Sequence, residues 1–456
     1  MAGIRITPVP HWSESAIARV LRPMQEFIHN SASSGIVLMI ATVVALVLAN
    51  SPLAAAYDHL LHTHIGISVG PFQLKLSLLH WINDGLMVIF FFLVGLEIKR
   101  EFLVGELSDL RAAMFPIIAA TGGVAVPALL YTLFNFNRPG ASGWAIPMAT
   151  DIAFALGLLA LLGNRIPFSL KVFLTAVAIV DDLMAVLVIA AFYSGGINAV
   201  ALGGGFALLA LLMLANLYGI RTIAVYVIFG VVIWLCFLQS GVHATIAGVL
   251  IAWTVPARNR IDAAVFQERA SDILKRFEGS QLEPNKMCMD EVQQHAVIEL
   301  EEACEDVQAP LQKLEHELHF WVQFVIMPIF ALANAGVAFS LSRITSESLT
   351  VPLGIIVGLV LGKPIGLLGA SWLAVRTGIA SLPHGVEWRQ MIGVGFLAGI
   401  GFTMSLFIAS LGFANSPLLE AAKAGILIAS LVAGTIGFIL LRRSQPPQPT
   451  TLDELG

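Results

Sequence analysis

The chain has 456 residues, of which 57% are hydrophobic and only 12% charged, with a mean hydropathy of +0.84. Soluble domains carry about 25% charged residues, so this composition excludes a soluble globular protein and marks an integral membrane protein. The net charge of −5 belongs to loops and says little of partners. Membrane lipid is expected, and nucleic acid is not. Of the three cysteines, Cys236 lies in an apolar run and Cys288 and Cys304 in a hydrophilic one. Their spacing is neither a disulfide framework nor a zinc pattern.

Residues 1–32 read as a retained cytoplasmic tail. It carries Arg5, Arg19 and Arg22 and a short amphipathic helix, without the apolar core and cleavage site of a signal peptide. A membrane span needs ~20 apolar residues. The candidates in chain order are roughly 33–49, 78–97, 112–134, 143–162, 169–193, 199–218, 222–238, 242–257, 320–340, 351–375, 391–412 and 420–441. Residues 222–257 are one apolar run broken only by Gln239-Ser240-Gly241. As a single helix it would be ~54 Å long, too long for one crossing. Splitting it places twenty of the 25 Lys and Arg residues on one side of the membrane and four on the other, with Lys363 inside a span. That asymmetry predicts twelve transmembrane helices with both termini cytoplasmic.

Two loops carry structure of their own. "HIGISVGPFQLKLSLLH" alternates Ile65, Ile67, Val69 and then Phe72, Leu74, Leu76 around Gly70-Pro71. This predicts a small extracytoplasmic β-hairpin at about 60–77. The cytoplasmic link 258–318 predicts two amphipathic helices around "GSQLEPNK", a solvated spacer or regulatory segment. Between Asp290 and Asp306 it holds seven acids and no Lys or Arg. Cys288 and Cys304 read as reduced cytosolic thiols. Transmembrane helices 1–8 thus fill 33–257, helices 9–12 fill 319–441, and 442–456 is a cytoplasmic tail.

Few ionisable residues remain at membrane depth: Asp84, Glu97, Asp151, Asp181, Asp182, His243 and Lys363. In "AIVDDLMAVLVIA" (178–190) the adjacent acids cost roughly 5–7 kcal/mol on an insertion scale. The eleven Val, Leu, Ile and Phe residues from Val172 to Ile189 return only roughly 3–7 kcal/mol. Span 5 must therefore sit inside a bundle, with its acids facing a polar cavity. Neighbouring helical residues point ~100° apart, so one cation cannot easily serve both acids. Like charges so close resist joint ionisation. A protonatable pair follows, with a buried ion pair of Asp181 and Lys363 as the structural alternative. Glu97, at a cytoplasmic end, reads as a solvated funnel residue. His243 titrates in a range that suits a switch, with packing as the alternative.

Span 4, "GWAIPMATDIAFALG", carries Pro147, which removes a helix hydrogen bond. A break there frees carbonyls to coordinate a cation beside the Thr150 hydroxyl and Asp151. Span 11, "GVGFLAGIGFTMSLFIASLGF", holds Gly393, Gly395, Gly399 and Gly401, which mark either a second break or close helix packing. Two interrupted spans, each in the middle of a three-span group (3–5 and 10–12), fit an inverted repeat with a midplane ion site. Asp151 would offset the half-helix N-termini and Lys363 the C-terminal ends.

Taken together, "WINDGLMVIFFFLVGLEIKRE" (81–101), "ATDIAFALG" (149–157), "AIVDDLMAVLVIA", "SGVHATIAGV" (240–249), "LEHELH" (314–319), "FALANAGV" (330–337), "GKPIG" (362–366) and "FLAGIGFTMSLFIASLGF" (396–413) resemble the NhaA-type sodium/proton antiporters, a standing example of the inverted-repeat transporter. The resemblance covers almost the whole chain. It implies an all-α membrane fold in which helices 4 and 11 are broken and cross near the membrane centre. It implies that Asp181 and Asp182 are the essential acids, with Asp182 most directly on Na+ or Li+, and that Asp151, Thr150 and Lys363 support them. Lys363 would be the partner of Asp181. Pro147, Gly399 and Gly401 would shape the broken backbone. Glu97, His243, Glu315, His316 and His319 match positions tied to pH response. A homodimer through the 60–77 hairpin is also implied, in a bacterial inner membrane and serving pH and sodium homeostasis and salt tolerance. The departure from the family pattern is the long acidic insertion before "LEHELH".

The expected activity is electrogenic antiport, not enzymatic catalysis, and needs no cofactor; Na+, Li+ and H+ are cargo. Whether the second proton rides on an acid or on Lys363 stays open. An intramembrane aspartyl protease would need a GxGD motif, which the chain lacks. A channel would need a continuous polar pore. An organic-anion transporter would need cationic binding residues, and Lys363 alone is available.

Overall fold

The computed structural model describes residues 31–69, 72–279, 291–338, 349–414 and 416–444. The expected N-terminal amphipathic helix, the Gly70-Pro71 turn, "SQLEPNK", Cys288 and most of the C-terminal tail lie outside them. The described chain is helical apart from one two-stranded sheet.

In order, the elements are α1 (Ser31–Ala49), α2 (Ala54–His62), β1 (His64–Val69), β2 (Phe72–Ser77), α3 (Leu78–Val104) and α4 (Leu110–Asn135). Two 3-10 turns, Pro139–Gly143 and Ile146–Met148, lead to α5 (Ile152–Leu161), α6 (Phe168–Phe192), α7 (Ala199–Leu217), α8 (Ile223–Ser240) and α9 (Thr245–Thr254). The link forms α10 (Ala263–Gly279) and α11 (Glu291–Val307). Then come α12 (Pro310–Asn334), α13 (Thr350–Arg376), α14 (Trp388–Ala398), α15 (Phe402–Gly412) and α16 (Leu418–Arg443).

Among the described residues, eight helices are long and apolar enough to cross a membrane. Three bent pairs raise this to eleven: the chain turns by 111° between α1 and α2, by 42° before α5 and by 40° between α14 and α15. The two interruptions expected from Pro147 and from the glycines of span 11 are therefore present. The 222–257 run is also divided. Gly241 ends α8 in the left-handed region at φ 79°, which glycine adopts without a Cβ penalty. At ten residues, α9 is only about 15 Å long, so a twelfth crossing is not given by length.

Contacts divide the chain into two compact units, one of Met1–Leu61, Met114–Ala185 and Met327–Gly456, the other of His62–Ala113 and Val186–Ile326. In the first, α4 and α13 run antiparallel at a distance set by glycine. A Cβ on Gly122 would meet the Gly366 carbonyl and the Ala370 side chain, and one on Gly362 would come within 2.9 Å of Pro127 Cα. Asn135 pins the end of α4 to the start of α13. It donates to the Thr350 carbonyl at 3.1 Å and accepts from the Thr350 hydroxyl at 2.9 Å. Gly122→Val should thus lower the thermal midpoint of the purified protein, by an overpacking cost of about 1–3 kcal/mol. An unchanged midpoint would contradict the close approach.

In the second unit the β-hairpin pairs Ile65 with Leu76 and Ile67 with Leu74. Trp81 Nε1 fastens it to α3 through the Ile65 carbonyl at 3.1 Å. The link is a helical hairpin with a small core of Ile273, Ala296 and Ala303, backed by Phe266, Phe277 and Leu300. Asp306 closes its base. Its carbonyl accepts from Arg260 N and Ile261 N, and its carboxylate meets Arg260 at 3.1 Å and Arg269 at 3.4 Å. Hydrogen bonding from Arg276 holds the Glu299 carboxyl below the usual carboxylate range. The "LEHELH" stretch lies on α12, which begins at Pro310 and leads into the next span as one helix.

Candidate functional site

A break in a helix leaves one set of orphan N–H donors and one set of orphan carbonyls, so two breaks leave two sets of each. Buried without water, each needs a partner. In the first unit the two breaks supply partners for one another. Span 4 stops after Met148, runs extended through Ala149 and Asp151, and resumes as α5. Span 11 stops after Ala398 and resumes at Phe402. Gly399 and Gly401 allow the second break to pack closely: a Cβ on either would meet Leu359 or neighbouring backbone and side chain.

Asp151 serves both resumed helices. Its Oδ1 accepts from Phe154 N at 2.9 Å, capping α5. Its Oδ2 accepts from Thr403 N at 3.1 Å and from the Thr403 hydroxyl at 2.5 Å, capping α15. The carboxylate thus sits at two helix N-termini, where negative charge is favoured. The carbonyl ends are met in the same way. Lys363 Nζ donates to the Met148 carbonyl, and the Ser405 hydroxyl donates to the Ile146 carbonyl at 2.8 Å. Asp151 N donates to the Ile400 carbonyl at 2.6 Å.

Asp181 and Asp182, on α6, are 1% and 2% exposed, and Lys363 is fully buried. Lys363 Nζ lies 2.6 Å from Asp181 Oδ2. The Thr150 hydroxyl lies 2.7 Å from the same oxygen and 2.9 Å from the Ala398 carbonyl, and its single proton serves one of them at a time. Asp181 Oδ1 is buried and has no hydrogen-bond partner among the described residues. The arrangement therefore separates two kinds of acid. Both oxygens of Asp151 are committed to helix ends, whereas Asp181 keeps one oxygen unsatisfied next to a second buried carboxyl. Such a site can accept a small cation or a proton.

A family model described as Na+/H+ antiporter 1 matches residues 25–441. The chain belongs to this family. A Na(+)/H(+) antiporter NhaA of Oleidesulfovibrio alaskensis is 50% identical over 434 residues, covering 95% of this chain and 96% of the relative. Na(+)/H(+) antiporter NhaA 1 of Saccharophagus degradans is 46% identical, covering 96% and 94%. Na(+)/H(+) antiporter NhaA 2 of Syntrophotalea carbinolica is 49% identical, covering 94% and 98%. These relatives are of nearly the same length as this chain.

The residues matched to pH response are divided. In the second unit Glu97 faces His319 Nδ1 at 3.8 Å, and Arg100 bridges Glu101 at 2.8 Å and Glu315 at 3.0 Å. Lys99 donates to the Trp253 and Val255 carbonyls, at the C-terminal end of α9. His243 precedes the other end of α9 and hydrogen-bonds the backbone at Tyr193. His316 is exposed on α12. Asp84 also belongs to this unit. It lies in a π-helical turn, Trp81–Leu86, and its carbonyl accepts from Trp234 Nε1 at 3.1 Å.

Thr403, Ser405 and Ser430 were not expected as site residues. The available signal was small hydroxyl side chains facing a break in otherwise apolar spans.

Proposed function

We propose that the chain is an electrogenic secondary antiporter of a bacterial inner membrane that exchanges cytoplasmic Na+ or Li+ for external protons. The observation that carries this reading is the buried, unsatisfied Asp181 Oδ1 beside Asp182, where two broken helices meet. With α9 as a short eighth span and each bent pair as one, the described helices accommodate twelve crossings with both termini cytoplasmic. Spans 3–5 and 10–12 then form the inverted repeat. Residues 1–32, the link and 442–456 are cytoplasmic.

In the inward-open state the deprotonated pair takes the cation among Asp182, Asp181 and the Thr150 hydroxyl. Arrival of the cation weakens the attraction between Asp181 and Lys363, and Lys363 keeps the Met148 carbonyl as a partner. The loaded site is near neutral and can change access. On the outer side the cation leaves and protons replace it. A bare dianion beside one Lys is costly to move through low dielectric, so only loaded forms cross. Two protons against one cation make the cycle electrogenic, with about 2.3 kcal/mol per 100 mV for each net charge. The second proton rides on an acid or on Lys363. We assign pH response first to Glu97, Glu315 and His319: Glu315 has both of the others, together with Arg100 and Glu101, as charged neighbours. His243 and His316 stand apart from that cluster.

The test is proton movement in everted vesicles. Na+ and Li+ should each dissipate a preset ΔpH, and organic acids should not. A response to organic acids without one to Na+ would sink the reading.

We further propose a homodimer through the 60–77 hairpin. Lys75 is exposed on β2, so Lys75→Cys should give a disulfide-linked dimer in oxidised membranes. A monomer under those conditions would contradict this interface.

A further inference from the structure

Besides Lys363 and Asp181, the crossing of the two broken helices takes a partner from α16. Ser430 stands on α16, is 7% exposed, and accepts a hydrogen bond from Phe402 N at 3.1 Å. Phe402 is the first residue of α15, so this N–H has no carbonyl within its own helix to receive it. Around Ser430 the face of α16 is made of small residues that lie against the break. Ala433 Cβ is 3.3 Å from where a Gly399 side chain would start, and Gly434 fits against Ile400 and Leu158. Ser430 is the one hydroxyl on that face.

The geometry points to Ser430 as a positioning residue for the ion site, a role that rests on the antiport reading. It touches neither acid. It fixes where α15 begins, and the next residue, Thr403, gives both its N–H and its hydroxyl to Asp151 Oδ2. The Asp151 amide in turn holds the Ile400 carbonyl, and the preceding residue, Thr150, reaches Asp181. An acceptor lost at Phe402 N leaves a buried donor unpaired, and the cheapest remedy is to unwind the first turn of α15. Thr403 then withdraws from Asp151, and Thr150 shifts against Asp181. The cation site loosens while the bundle around it stays assembled.

The experiment compares wild type, Ser430→Ala and Ser430→Thr in everted vesicles, reading the half-saturating Na+ and Li+ concentrations and the maximal rate at several pH values. A buried donor left unpaired predicts about a tenfold rise in the half-saturating concentration for Ser430→Ala. The pH profile should move with it, and the maximal rate should stay within about twofold. Ser430→Thr keeps the acceptor and should stay close to wild type. If Ser430→Ala does not accumulate, Ser430→Cys, with a weak acceptor of similar size, carries the same expectation. A lower rate or yield with an unchanged half-saturating concentration would make Ser430 merely structural and overturn the proposal. Absence of Na+ exchange in wild-type vesicles would instead overturn the antiport reading itself, and this proposal with it.

Discussion

Asp182→Asn should abolish Na+-driven proton exchange, leaving a protein that inserts normally and keeps its thermal stability. Asn preserves the shape of the side chain but can neither carry a negative charge nor release a proton. The proposed cycle needs both. Lys363 at 2.6 Å and Thr150 at 2.7 Å hold Asp181, and the proposed antiport puts Asp182 most directly on the cation. Insertion of the helix becomes easier when a central acid, costing about 2.5–3.5 kcal/mol, is replaced by a neutral group. Loss of activity in a variant that accumulates and melts like wild type therefore reports the missing carboxylate rather than misfolding. The expected readout is no ΔpH dissipation by Na+ or Li+ at any pH, from vesicles with wild-type amounts of protein. Full exchange would remove Asp182 from the mechanism.

The second large effect is on stability. Lys363→Met should destabilise the protein by roughly 3–5 kcal/mol, because it strands the Asp181 carboxylate in a fully buried position. Removing both charges should recover most of this loss. A buried pair replaced by neutral side chains of similar volume is often neutral or stabilising. Asp181→Asn/Lys363→Met should therefore accumulate and melt near wild type while failing to transport. Thermal midpoints of the purified variants check this. If the double variant is as unstable as Lys363→Met alone, the Lys363 bond to the Met148 carbonyl, rather than the ion pair, holds the site together.

Much of this was legible in the sequence because membranes leave few choices. A proline and four glycines inside apolar spans announced the two breaks. The charge asymmetry of the loops divided the 222–257 run at the place where Gly241 turns the chain. The Asp181–Lys363 pair could be inferred because span 10 held the one cation at membrane depth. Other features were hidden, for a physical reason. A serine in a membrane helix usually returns its hydroxyl to its own backbone, as Thr42 and Thr121 do here. Nothing local distinguishes Ser405 or Ser430, whose partners lie on other helices. The double duty of Asp151 was likewise foreseen only as a charge near helix ends. That its two oxygens are divided between α5 and α15 depends on how two distant segments meet. The link illustrates the opposite case. Its amphipathic pattern gave the two helices, yet "LEHELH" belongs to the helix that follows, a boundary that polar residues at a helix start conceal.

The central claim is that cation and protons compete for the same buried acids. It is tested most directly by binding of Na+ to the purified protein across pH, with the released protons counted in the same samples. Competition predicts proton release on Na+ addition, and a half-saturating Na+ concentration that falls by about tenfold or more for each unit of rising pH where the acids titrate. Both effects should vanish in Asp182→Asn. Na+ binding that is independent of pH and releases no protons would contradict the account.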